Sequence, residues 1–124
     1  MIYKLRTSKE TYDVFTSANN THGLQPFALS KIAIALSIHK GQLETDDFNN
    51  DTEGLELNRQ TIFGEYDALF RSLMIMIEDR ELHDEEFFPQ YTKAHLDRGA
   101  KLLQNEMRYG VNFYENLLNT DTNL

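Results

Sequence analysis

The chain has 124 residues, 40% of them hydrophobic and 26% charged, with a net charge of -8. That is the size and mix of one folded domain rather than a disordered segment. It contains no cysteine, which excludes a disulfide framework, thiolate zinc sites and cysteine-held iron–sulfur clusters.

The charge is unevenly spread. Residues 1–44 hold five basic and three acidic side chains, and the remainder holds seven against seventeen. An acidic chain is repelled by phosphate, so any DNA contact is expected from the first third. The acidic remainder suits solubility or a basic protein partner. MIYKLRTSKE turns polar too early for a secretory signal. The apolar runs IAIALSI and LMIMI fall well short of the ~20 residues of a membrane span. A cytoplasmic protein with no membrane segment is expected.

In chain order, residues 2–6 alternate as a short strand, with Tyr3 and Leu5 on one side and Lys4 and Arg6 on the other. Thr7-Ser8-Lys9-Glu10 has the spacing of a capping box, which starts a helix just after Thr7. Its apolar face is Thr11, Val14, Phe15 and Ala18, and Gly23 is placed to end it in a left-handed conformation. Pro26 then opens a second helix, which Gly41 stops near Lys40. This helix is apolar almost all round. Leu29, Ile32, Ala33 and Leu36 form one stripe, and Ala28, Ile34, Ala35 and Ile38 form a second face that needs a cover. A surface helix hides only one stripe. The second cover is supplied either by another copy, as in a ribbon-helix-helix dimer with strands paired between chains, or by later helices of the same chain.

Residues 42–56 hold six acids and read as a solvated loop, without the ligand spacing of a calcium-binding EF-hand. Residues 54–63 are either a short extended piece or the lead-in to a helix. From Gly64 the spacing of Tyr66, Leu69, Phe70, Leu73, Met76 and Ile77 predicts a helix to about Asp79, with Glu65, Asp67, Arg71 and Ser72 on its polar side. A last long helix is predicted from about Phe88-Pro89, with Asp84, Glu85 and Glu86 near its positive end. Residues 112–118 either continue it or fold back. The expected architecture is mainly α: a short N-terminal strand and two helices (ribbon-helix-helix-like), plus two further helices, in a single domain over 1–124. Its parts are the strand-helix-helix unit 1–41, the acidic loop 42–57, further helices 58–118 and a frayed tail 119–124.

Chemistry-bearing motifs are scarce. None of the four histidines stands three or four residues from another, and no Glu-x-x-His occurs, which disfavours zinc and di-iron sites. No phosphate-cradling glycine loop or nucleophile elbow is present. No metal or other cofactor is expected. The densest polar cluster is Asn58, Arg59, Thr61, Gly64 and Glu65, continuing into Tyr66 and Asp67. It is either a ligand or partner site or a helix start, with Thr61 or a neighbour capping and Arg59 bonded to Glu65 or Asp67. Glu65, Tyr66 and Asp67 are the only candidates for catalysis in a DNA-nicking alternative. Lys4, Arg6, Lys9 and Lys31 are the candidate DNA contacts.

Four stretches, KLRTSKET, GLQPFALSKIAIALSI, GLELNRQTIFGEYDALF and KAHLDRGAKLL, together resemble the DndE family over about residues 2–107. That family is the small helical component of DNA sulfur-modification (phosphorothioation) systems, which replace a non-bridging phosphate oxygen with sulfur and serve restriction-modification. The resemblance implies a homotetramer, and association with nicked double-stranded DNA. It also implies partners that include a cysteine desulfurase, an iron–sulfur sulfurtransferase-like subunit and an ATPase. The family's DNA-contacting surface is lysine-rich. The matching positions here are Lys4, Arg6, Lys9 and Lys31, in a chain of net charge -8. The expected function is a homo-oligomeric accessory subunit that assists assembly or DNA binding. A nicking enzyme and a ribbon-helix-helix repressor are the alternatives.

Overall fold

The structure, a computed structural model, describes residues 2–122, with side chains described through Arg108. Strand β1 spans Lys4–Arg6, helix α1 Lys9–His22 and helix α2 Pro26–Lys40. After a short turn at Thr45–Asp47 come β2 (Glu56–Asn58), the five-residue α3 (Arg59–Phe63), a turn at Gly64–Tyr66 and α4 (Asp67–Glu78). A wide turn over Glu86–Tyr91, extended at Phe88 (φ -133°, ψ 121°), leads into α5 (Thr92–Thr122). The fold is mainly helical, as expected, and α5 continues through residues 112–118 rather than folding back. The last two residues of the tail expected to fray, 123 and 124, lie outside the described residues.

The strand-helix-helix order is present, but the partner of β1 comes from the same chain. β1 and β2 run antiparallel in the register Lys4↔Asn58, Leu5↔Leu57, Arg6↔Glu56. Residues 54–63 are therefore both things the pattern allowed, a strand and then a helix. Leu5 and Leu57 point inward together, at 4% and 8% exposure.

Helix α1 buries Thr11, Val14, Phe15 and Ala18, the predicted stripe. Its cap is Ser8 rather than Thr7: the Ser8 side chain accepts from the Thr11 amide. Thr7 is unavailable because its hydroxyl accepts from the Leu55 amide at 2.8 Å and donates to the Ser8 carbonyl. Glu10 stands 3.8 Å from Lys101. Gly23 ends the helix at φ 70°, where a side chain would be strained, and its N–H bonds the Asn19 carbonyl.

Helix α5 is the spine of the core and packs chiefly along α2, then α1. The approach of α5 to α2 is made by small residues: Gly99 faces the backbone of Ala33, with Ala94 and Ala100 also buried. Phe15, Leu29, Ile34, Ile62, Phe63, Met74, Leu82, Phe87, Phe88 and Leu96 fill the rest of the core. Burial of each such side chain is worth about 1.5–3 kcal/mol.

Two faces differ from the sequence expectation. In α2, Ile34 is fully buried within its own chain, while Ile32, assigned to the inward stripe, is 41% exposed. In α4, the fully covered residues are Met74 and Glu78, whereas Leu69 and Met76 face solvent and Arg71 and Asp67 are half-buried. α4 is thus rotated so that part of its apolar stripe points away from the core. The polar partners of Arg71 and Asp67 lie inside, and they turn that side of the helix inward.

The loop 42–56 is tied down rather than loosely solvated. Arg6 donates to the carbonyls of Thr52 and Gly54, and Asp51 accepts from the Lys9 and Glu53 amides. Those amide bonds hold the Asp51 carboxyl below its ordinary pKa. Phe48 packs edge-on against Tyr91, with ring centroids 5.1 Å apart.

Candidate functional site

Arg59 is the centre of the polar cluster. Its Nε and one terminal nitrogen grip Asp67 at 2.7 and 2.9 Å, and both terminal nitrogens reach Asp84 at 3.0 and 2.8 Å. The guanidinium lies over the rings of Phe87 and Phe88, at 5.2 and 5.5 Å. Hydrogen bonds to Asp67 first, then to Asp84, raise its pKa well above the ordinary value, and Arg59 in turn lowers that of Asp84. Both carboxylates and the aromatic faces are thereby used up. Of the other cluster members, Asn58 caps α3 by accepting from the Gln60 amide, at 2.8 Å. Thr61 and Glu65 are exposed, and Gly64 makes the turn into α4 at φ 52°. The arrangement locks α3, α4 and the following turn together. Asp84, 25 residues away in sequence, was legible only as an acid near a helix start.

Glu65 and Tyr66 do not converge with Asp67: both are exposed, while Asp67 is held by Arg59. Among the described residues, no three His, Asp or Glu side chains come together in a way that could hold a metal ion.

The candidate DNA residues are dispersed. Lys4 lies 3.9 Å from Glu56 and Lys9 lies 3.2 Å from Asp13. Arg6 is spent on the loop carbonyls, and Lys31 sits over the Phe27 ring. Sequence reasoning missed a second polar centre, buried in α5. Asp97 (3% exposed) accepts from the Ser8 amide, the Thr11 hydroxyl, Asn49 and Lys93. Arg98 donates to the carbonyls of Ser37, Gly41 and Gln42, so a cation closes the negative end of α2. Arg98 Nε also donates to Ser37 Oγ at 2.8 Å, and Ser37 Oγ shares a second hydrogen bond with His95 Nδ1, also at 2.8 Å. His95 Nε2 lies 3.4 Å from Glu78 Oε1 and has no bonded partner among the described residues. Burial first, and Arg98 second, lower the His95 pKa to about 3, and burial raises that of Glu78. Glu78 also accepts from the Leu43 amide, at 2.9 Å.

The proposed oligomer residues separate in space. Ala35 is exposed and Ala28 half-buried on the outward face of α2, Ile38 is half-buried against the core, and Ile34 is fully buried. Phe27 (46% exposed) and Ile32 complete the outward face. No described helix is long and apolar enough to cross a membrane.

Fold and site together define a small helical protein with an intrachain strand pair, buried charges held by intrachain partners and two outward apolar faces. The family model of DndE, DNA sulphur modification protein, matches residues 4–110, and the chain belongs to that family. Two solved structures are similar. One is DndE from Escherichia coli B7A, involved in DNA phosphorothioation modification (TM-score 0.65, 19% identity, covering 83% of this chain and 97% of that one). The other is a glycine-to-lysine variant of DndE involved in DNA phosphorothioation (TM-score 0.64, 17% identity, 83% and 98%). At these identities they share the fold. No curated protein matches in sequence.

Proposed function

We propose that this protein is a homo-oligomeric accessory subunit of a DNA phosphorothioation system, working beside sulfurtransferase-like and ATPase subunits. It assembles through the outward face of α2 and contacts double-stranded DNA through several copies of its basic N-terminal third. The observation that carries the reading is the family membership over residues 4–110. It is supported by the α2 face, where Phe27, Ala28, Ile32 and Ala35 form an apolar strip beside Lys31, with Ala28 and Ala35 one heptad apart. Helices pack closely at such positions. A tetramer is the state that the family resemblance implies. Contacts spread over copies suit a chain whose individual basic groups are few and mostly partnered.

The nicking alternative would rest on Glu65, Tyr66 and Asp67, and Asp67 is engaged by Arg59. The repressor alternative would need the strand ribbon between chains, and β2 takes one edge of β1.

Sedimentation at micromolar concentration tests the reading. A multimer is expected for the unaltered chain, and Ile32→Asp is expected to dissociate it into monomers with the same circular dichroism spectrum. A stable monomer from the unaltered chain overturns the proposal.

A further inference from the structure

The rotation of α4 leaves an outward strip of Glu65, Ala68, Leu69, Ser72, Met76 and Asp79. Leu69 is 53% exposed and Met76 77%, while Glu78 of the same helix is 5% exposed. A helix that buries a glutamate and shows two large apolar side chains is not arranged for its own core alone. Tyr66, 48% exposed, flanks the strip.

The rim is acidic. Residues 64–86 contain eight acids and two arginines. Both arginines are spent internally: Arg71 on the Leu82 carbonyl and Asp84, Arg80 on Glu86 and Tyr91. Glu65, Asp79, Glu81 and Glu85 are exposed and have no cation partner among the described residues.

We propose that the outward face of α4 docks a different protein, one that presents apolar side chains ringed by lysine and arginine. Nucleic acid is excluded by the sign of the rim. A second copy of this chain carries a net charge of -8 and is repelled by the acidic rim. Lys4, Arg6 and Lys9 are engaged, and Lys31 lies on the α2 face. The acidic rim speeds encounter with such a partner and rejects acidic ones, and the apolar strip holds it. The assignment rests on the accessory-subunit reading only in leaving α2 to self-association.

The test uses the full chain and two short helical peptides with the same leucine face, one flanked by lysines and the other by glutamates. Amide shifts in nuclear magnetic resonance spectra locate binding, and fluorescence anisotropy measures it. The lysine peptide is expected to shift residues 65–79, to bind at least about tenfold more weakly to the Leu69→Ser/Met76→Ser variant, and to weaken as salt rises. The glutamate peptide is expected not to bind. Equal binding of both peptides, equal binding to the variant, or shifts confined to α2 overturns the proposal. So does loss of self-association in the Leu69→Ser/Met76→Ser variant, since α4 would then be covered by a second copy. Dissociation by Ile32→Asp reports on α2 alone, so the two readings fail separately.

Discussion

Gly99 lies against the backbone of Ala33 so closely that a Cβ on Gly99 would stand 1.8 Å from the Ala33 carbonyl oxygen. The obstacle is main chain, so a neighbouring side chain cannot swing aside. The two longest-packed helices, α5 and α2, are held at the distance that only glycine permits.

Gly99→Ala is therefore expected to push α5 off α2. Overpacking of this kind costs about 1–3 kcal/mol, or more where backbone must move. Urea unfolding should show that loss, with Lys101→Ala, an exposed site on the same helix, staying within about 0.5 kcal/mol of the unaltered chain. An unchanged midpoint for Gly99→Ala would contradict the packing.

Arg59→Lys keeps the charge but loses the fork that grips two carboxylates at once. With Arg59 mostly covered, the variant is expected to lose roughly 2–3 kcal/mol, the scale of charged hydrogen bonds. Asp84→Asn should cost less, about 1 kcal/mol, because Asp84 is 39% exposed at its side chain and partly screened. In the double variant the losses should fall short of their sum, since both remove the same contact.

His95 gives the fold a pH dependence. Its folded pKa, about 3, lies below the ordinary 6.5. The unfolded chain therefore takes up a proton first as pH falls. The stability that His95 contributes is fully present above pH 6.5 and is lost progressively toward pH 3, at up to about 1.4 kcal/mol per pH unit. Glu78, whose folded pKa is raised by burial, binds its proton more readily when folded and opposes this as pH falls from that raised pKa to its ordinary 4.5. His95→Gln should flatten the slope of stability between pH 6.5 and 5. An unaltered slope would show that His95 is not the group responsible.

Ile34 and Ile32 should respond oppositely to the same change. Ile34→Asp places a carboxylate in a site with no exposure and is expected to unfold the chain. Ile32→Asp is expected to keep the helical fold and dissociate the multimer, lowering the melt only by the lost association. Circular dichroism melts and sedimentation, run on both variants, separate the two effects.

DNA affinity is expected to be weak per chain and steep in salt. Lys4→Ala should weaken it with little loss of stability, because its 3.9 Å pair with Glu56 is exposed on both sides. Arg6→Ala should also lower stability, because Arg6 holds the Thr52 and Gly54 carbonyls. Gel shifts at two salt concentrations, paired with melts, distinguish these outcomes.

The sequence by itself determined the local structure and the family. Periodicity placed Thr11, Val14, Phe15 and Ala18 inside α1, Gly23 ended that helix, and Pro26 and Gly41 bounded α2, because caps and breakers act within a turn of where they stand. Four short motifs were enough to point to DndE. The tertiary structure decided what depends on distant residues meeting. The partner of β1 is β2, more than fifty residues on, and Arg59 meets Asp84 as well as Asp67. His95, Asp97 and Arg98 lie buried because they answer the end of α2, the start of α1 and the end of α4. The outward turn of α4 has the same cause: the half-buried Arg71 and Asp67 are bonded inside the fold, so Leu69 and Met76 face out. A helical pattern records which residues share a face, and the polar partners waiting across the core decide which face turns inward.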